Sequence, residues 1–425
     1  MKIIRFTTLV LSVLFISNFL LSYAPTNFHK PYDVNFRMAE WKGTRFRFGT
    51  NFEYGTTNKC RDFDENKVGV LRIYNKNESA LAMLLGAKRG SDIHQLANNL
   101  LPAFAPAADD GERGRFLLDG KFEGLDFTFC GQYRLPIETI PGKFDFYTYI
   151  PFRYMRVGNV KWNDQTKDVL NADRDVKRYL TDNISDVVKE LGDLDISSWN
   201  KTSIGDIIFM LSWYLDFRQL KEHLKNVRIT SRIGLTIPSA SEKDEDKVFS
   251  LPLGNDGAWG VPLIASIDLD FVRKVKAGLE FEALILFDRI RERRLKTDEH
   301  QTDFLLLHKG KATKSFGVTW KFNLFVQVQH FLSGLSGMIA YQFLKHDDDK
   351  LTAQTNDFSY SIINSAQSLK EWGMQNFVFQ LNYDFFKDCR NCWLKPQLSF
   401  FYKLPVTGKQ VINPHTFGGQ LAFNF

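Results

Sequence analysis

The stretch Thr44-Arg45-Phe46-Arg47-Phe48-Gly49-Thr50-Asn51-Phe52-Glu53-Tyr54 alternates without a break. Successive side chains of an extended chain point to opposite faces. Phe46, Phe48, Thr50, Phe52 and Tyr54 therefore share one side, and Arg45, Arg47, Gly49, Asn51 and Glu53 share the other. A strand here is greasy on one face and wet on the other, over about twice the five or six residues of an ordinary strand.

The pattern returns along the chain. Val227 to Ile237, Ala277 to Asp288, Thr319 to Gln329 and Gln375 to Phe385 each set Phe, Leu, Ile or Val at every second position against Arg, Glu, Asn or Gln. A soluble sandwich also alternates, but its strands are shorter and its wet face looks outward. Long faces rich in Phe and Leu suit a lipid-facing band, with the polar face turned into a lumen.

Composition agrees. The chain has 425 residues, 44% apolar and 14% aromatic, with 39 Phe, which is too apolar for a disordered chain. Its formal charge is +6, far from the balance of a nucleic-acid binder. Mean hydropathy is −0.25, which argues against a bundle of membrane helices.

Lys2 and Arg5 precede an apolar run from Phe6 to Leu21, followed by Ser22 and Ala24. This is the layout of a secretory signal peptide over 1–24. Pro25 directly after Ala24 is awkward for cleavage there, so an N-terminal anchor is the other reading; either one exports the rest. Residues 25–43 are then a periplasmic N-terminal segment ahead of a barrel over 44–425.

The chain ends Phe417-Gly418-Gly419-Gln420-Leu421-Ala422-Phe423-Asn424-Phe425. Phe417, Leu421, Phe423 and Phe425 share one face. This resembles the C-terminal assembly signal of Gram-negative outer-membrane β-barrel proteins. The resemblance implies a periplasmic C-terminus, insertion by the barrel-assembly machinery, and outer-membrane lipid and lipopolysaccharide as surroundings.

The segments 44–54, 67–74, 113–123, 125–134, 144–154, 205–216, 227–237, 259–270, 277–288, 318–329, 335–345, 375–385, 394–404 and 415–425 predict an all-β, closed antiparallel transmembrane barrel of about 14 strands. Twelve follows if one hairpin among the weak segments 67–74 and 113–134 is not in the wall; a missed pair gives 16. With the last strand descending, long extracellular loops fall at 155–204, 238–258, 289–317, 346–374 and 405–414, opposite short periplasmic turns. Residues 75–112 then lie on the periplasmic side, as a plug entering the lumen or a periplasmic lobe. Within 155–204, Thr181 to Leu191 predicts an amphipathic helix, either on the surface or folded inward as porin constriction loops are.

Parity assigns Arg45, Arg47, Arg228, Arg232, Lys276, Glu280, Glu282, Lys321 and Asp384 to the lumen. Basic and acidic inward residues balance, which favours small hydrophilic solutes without strong charge preference. The alternative is that these charges pair across a narrow lumen and close it. The acidic runs Glu242–Asp246 and Asp347–Asp349 are expected to be solvated loops, with divalent cations shared with lipopolysaccharide as the other reading. Arg289, Arg291, Arg293 and Arg294 sit where lipid phosphates would lie.

Cys389 and Cys392 form a Cys-x-x-Cys pair, a candidate small disulfide in an oxidising compartment. No metal site or cofactor is expected. The eight histidines (29, 94, 223, 300, 308, 330, 346 and 415) are scattered, and no hydrolase, zinc or nucleotide motif is present, so no enzymatic activity is expected. The function read from the sequence is a porin-like channel for passive diffusion of small hydrophilic solutes. The alternatives are a plugged channel for hydrophobic substrates, resembling fatty-acid transporters, and a structural or adhesive surface barrel without transport.

Overall fold

The structure is a computed structural model and describes residues 45–100, 103, 112–355, 357–385, 395–412 and 414–425. The segments 1–24 and 25–43, and the Cys389/Cys392 pair, lie outside the described residues.

Twelve strands form the wall: β1 (Phe46–Thr57), β2 (Arg115–Leu135), β3 (Lys143–Asp164), β4 (Ile207–Arg218), β5 (Leu224–Ile237), β6 (Gly260–Phe271), β7 (Val275–Leu286), β8 (Thr319–Leu332), β9 (Leu335–His346), β10 (Trp372–Asp384), β11 (Lys395–Lys409) and β12 (His415–Asn424). Each pairs antiparallel with its neighbour in sequence, and β1 closes the ring on β12, with Arg47 opposite Asn424 and Thr56 opposite His415. Two short strands join the sheet from outside the ring, Glu78–Ser79 along β2 and Trp199–Ile204 along β3, which brings the sheet to 14.

The difference from the expected segments has two causes. The stretches 113–123 and 125–134 are one 21-residue strand, bulged between Asp119 and Lys121 rather than turned. The stretch 67–74 is not in the wall: Lys67–Gly69 pairs with Lys59–Arg61, and Val70–Arg72 is a single 3-10 turn whose Val70 and Leu71 are buried. Its removal reverses the side assigned to 75–112. The connection after β1, as described over 58–100 and 112–114, lies at the end of the barrel that carries the long loops.

The opposite end carries short connections. The tightest joins Leu332 to Leu335, where Gly334 has φ +75° and a Cβ would meet the Asp384 carbonyl oxygen. Only glycine reaches this backbone without strain.

Outward residues form a greasy belt. Phe48, Phe52, Ile229, Ile233, Leu279, Phe281, Ile339, Phe379, Phe400 and Phe417 are all exposed on the wall. No helix among the described residues is long and apolar enough to cross a membrane; the strands supply the hydrophobic band.

The largest core lies at the long-loop end, outside the membrane band. Val70, Leu71, Ile73, Leu81 and Met83 from 58–114 pack with Val176, Leu180, Ile184 and Val188 from 165–206, with Phe249, Leu251 and Leu253, and with Leu305 and Leu307. Wall residues Phe116, Phe122, Met155, Leu344 and Trp372 complete it. The long loops are thus a folded cap. The helix expected over 181–191 forms as Ile184–Gly192, with Ile184 and Val188 buried in that cap.

Candidate functional site

The inward face of the wall is charged, and its charges are matched. Arg228 holds Asp216 through two bonds of 2.8 and 3.0 Å, with its guanidinium 4.4 Å from the Tyr214 ring centre. Arg232 stands 3.9 Å from Glu280, which also accepts a bond from Asn323 at 3.0 Å. Lys276 lies between Asp268 at 3.3 Å and Asp270 at 3.7 Å, Lys321 is 3.4 Å from Glu282, and Asp384 meets His330 at 3.4 Å. Arg47 donates to the Gln397 side chain at 3.0 Å. Arg45 precedes β1 and is exposed; its backbone N–H donates to the carbonyl of Phe425.

Further pairs complete the ring, among them Arg153 with Asp126 at 2.8 Å, Arg134 with Asp145 at 3.0 Å and Lys403 with Glu53 at 2.6 Å. Buried charges are tolerated when paired in this way. Many span neighbouring strands, so the lumen wall is cross-braced.

Two apolar clusters also face inward, which the alternation pattern did not single out. One is Phe325, Met338, Ala340, Val378 and Phe401 on β8 to β11; the other is Tyr149, Ile208, Met210 and Ile264, with Cys130 beside it. Cys130 and Cys60 are free thiols, and burial pushes the Cys60 thiol up.

The loop that reaches the inward face of the wall at the outer mouth is 238–259. The Leu253 carbonyl accepts from Arg153 at 2.9 Å, Asn255 donates to Thr236, and the Asp206 carboxylate caps the backbone N–H groups of Ala240 and Asn255.

The arginines expected at lipid phosphates bind this loop instead. Arg291 meets Glu245 at 2.6 Å and Asp256 at 2.8 Å; Arg293 meets Asp256 at 2.6 Å; Arg294 meets Asp246 at 2.9 Å; Arg289 meets Glu242 at 3.1 Å. The acidic run and the basic run are each other's partners. Burial alone would raise the Asp256 carboxyl, but Arg293 and Arg291 hold it below the usual range. The strands Arg289–Arg294 and Lys309–Ser315, with Lys350–Ala353, form the small sheet that presents these arginines.

Loop 347–371 is stapled to the wall by Thr319, His346 and Asp349. Thr319 Oγ1 and His346 Nδ1 are 2.9 Å apart, as are His346 Nε2 and Asp349 Oδ1. All three are buried, the imidazole stacks on Trp372, and Lys314 grips Asp349 at 2.7 Å. Burial opposes ionisation of Asp349, yet Lys314 and His346 draw it well below the usual carboxylate range. This is a structural joint under the cap, and no sequence motif announces it.

Between the cap loops lies a cavity of about 120 Å³. Leu71, Phe249, Leu251 and Phe304 line it together with the charged Lys243, Glu245, Lys247, Arg294 and Asp303.

At the seam, Phe425 exchanges backbone bonds with Phe46, and their rings stack at 6.0 Å. Phe417, Leu421 and Phe425 are exposed on the outer face, and Phe423 is half-buried there.

No family model matches the chain, and no curated relative matches it in sequence. Solved structures match in fold. An outer membrane channel from Pseudomonas putida F1 superposes with a TM-score of 0.51 at 13% identity, over 90% of this chain and 94% of that one. The beta domain of the Bordetella autotransporter BrkA gives 0.36 at 7% identity, over 90% and 100% of the two chains. The Pseudomonas putida toluene transporter TodX gives 0.32 at 9%, over 90% of each. The closed ring, its greasy belt and the first of these likenesses give the chain the fold of a bacterial outer-membrane β-barrel, at home in that membrane.

Proposed function

We propose that this barrel is a capped outer-membrane channel, through which small hydrophilic solutes diffuse passively when the cap yields. The observation that carries this reading is the inward face itself. Its buried pairs, such as Arg153 with Asp126 and Lys321 with Glu282, form a polar wall of balanced sign. A greasy solute finds no continuous apolar path along it, and an ion of either sign meets compensated charge. The terminal face Phe417 to Phe425 is the segment offered to the barrel-assembly machinery, and lipopolysaccharide surrounds the upper belt.

Planar-bilayer recording tests this with the wild type beside Asp256→Ala, which removes the carboxylate that Arg291 and Arg293 share. The expected result is rare openings in the wild type and a steady, weakly selective conductance in the variant. Silence in both folded proteins would leave a structural or adhesive barrel.

A second reading, a plugged channel for hydrophobic substrates, draws on the partly apolar cavity between the cap loops. Uptake of N-phenylnaphthylamine into proteoliposomes, with no ion conductance in either protein, would select it.

A further inference from the structure

Across the lumen wall runs a row of uncharged polar side chains, fixed by strand register. Thr128 on β2 lies opposite Asn51 on β1, Asn51 opposite Gln420 on β12, Gln420 opposite Ser399 on β11, Ser399 opposite Asn382 on β10, and Asn382 opposite Ser336 on β9. All six point inward and are buried, Ser399 at 0% exposure, Asn51 at 2% and Gln420 at 7%. Pairing runs perpendicular to the strands, and barrel strands tilt by about 35–45°. The row is therefore a ramp, which descends from mid-wall on β2 to the short-turn end of β9.

The hydrogen-bonding capacity of this ramp is largely unused. Both side-chain atoms of Asn51, Gln420 Oε1, Ser399 Oγ and Asn382 Nδ2 have no partner in the structure, and Gln380 beside them has a free Oε1. Buried polar groups are otherwise almost always paired, because leaving one unmet is costly. Orphaned atoms occur elsewhere on the inward face too, at Arg153, Arg232, Ser266 and Asn323, but there they lie among paired acids and bases, whereas along the ramp they follow one another on uncharged side chains.

That chemistry selects its ligand. An ion of either sign would use the acceptors or the donors of the stripe but not both, and an apolar molecule would leave every orphaned group unsatisfied. A hydroxyl both donates and accepts, as do the amide and hydroxyl side chains of the ramp. We infer that the ramp is a binding track for a neutral polyhydroxylated solute of the sugar class, held by successive hydrogen bonds on Asn51, Gln420, Ser399 and Asn382. This rests on the channel reading and names the solute within it.

The probe is maltotriose, added to Asp256→Ala channels in planar bilayers and, separately, titrated calorimetrically into the folded protein in detergent. The expected result is saturable block of the ion current, weakened about 3- to 10-fold by Asn51→Leu, as for loss of one or two hydrogen bonds. Ser399→Ala removes only an unsatisfied hydroxyl, so it keeps the fold and should weaken block by a smaller factor. A conducting channel that maltotriose neither blocks nor binds overturns the track while leaving the channel reading intact. Equal block in wild-type and both variant backgrounds also overturns it. A non-conducting barrel that binds maltotriose, with affinity lost in Asn51→Leu, upholds the track and sinks the channel.

Discussion

Lys403 on β11 reaches over β12 to place its Nζ 2.6 Å from Glu53 Oε1 on β1. On the strand between them Thr416 lies opposite Lys403 and Gly418 opposite Glu53, and the Phe401 ring fills the space that a Cβ on Gly418 would take. Arg47 and Gln397 make a second bridge of the same kind, over Ala422. The first strand and the penultimate one are thus tied directly, across the last.

Removing one side of that tie exposes its worth. Lys403→Met leaves the buried Glu53 carboxylate without this cation and should cost about 3–5 kcal/mol, whereas Glu53→Gln with Lys403→Met should recover most of the loss. Urea unfolding followed by the heat-modifiable band on gels gives both values. A single variant as stable as the wild type would show the bridge to be idle.

The terminal aromatic is expected to matter for insertion. Phe425→Ala removes the ring stacked on Phe46 but keeps the backbone bonds that close the ring. Export should continue while the folded fraction in the outer membrane falls, as cell fractionation with heat-modifiability would record. Unchanged folding would refute the assembly role.

Orientation of the wall is tested on adjacent residues of β7. Phe281 is exposed on the belt, while Glu280 turns inward to Asn323 and Arg232. At mid-membrane, Phe281→Arg should cost about 2–4 kcal/mol, and Glu280→Gln clearly less. The reverse order of costs, measured by unfolding in lipid vesicles, would mean that the strand is out of register by one residue.

The cap should tighten in acid. Glu78, at the cap strand Glu78–Ser79, is pushed up from 4.5 to about 8 by burial, with Asp303 adding to the rise and bonds from Thr302, Phe304 and Asn75 opposing it. A carboxyl raised in the folded state favours the folded cap below its unfolded pKa, and that contribution is lost as pH climbs through the folded value. Protection factors of 58–100 in hydrogen exchange, with the intrinsic base-catalysed rise removed, should therefore be highest near pH 5 and fall toward pH 9, and Glu78→Gln should flatten the dependence. A wild-type profile already flat over that span would contradict the buried acid.

Period two carried most of the wall because lipid on one side and a lumen on the other leave every strand two-faced, so Phe281 and Glu280 are separable by parity alone. The pattern fails where burial is no longer two-sided. Lys67 to Tyr74 alternates loosely in sequence, yet Val70 and Leu71 are buried side by side in a 3-10 turn, inside a cap that accepts apolar residues from any direction. Glycines at 120 and 124 suggest a break between two strands, but Gly120 marks a bulge and provides room for Leu71 against β2. The pairing of Arg291 with Glu245 and Asp256 joins loops dozens of residues apart, and no local signal in either run records it. The amide ramp escapes notice for another reason: Asn51 and Gln420 look like ordinary wet-face residues until register sets them opposite each other.

Strand length is uneven around the ring. Beyond the last rung shared with β1, residues 115–121 of β2 continue upward against 158–164 of β3, a mast of about 20 Å that Glu78–Ser79 joins at its top. Phe116 and Leu118 on this mast, with Met155 and Val157 at its foot, are rooted in the cap core beside Phe249, Leu251 and Leu253 of loop 238–259, and Trp162 of the mast meets the Phe249 ring at 6.2 Å. The cap is therefore fastened to the ring at two posts, the β2–β3 mast on one side and Leu344 and Trp372 of β9 and β10 on the other, and sits on the barrel as a keyed lid rather than as a flap on one hinge.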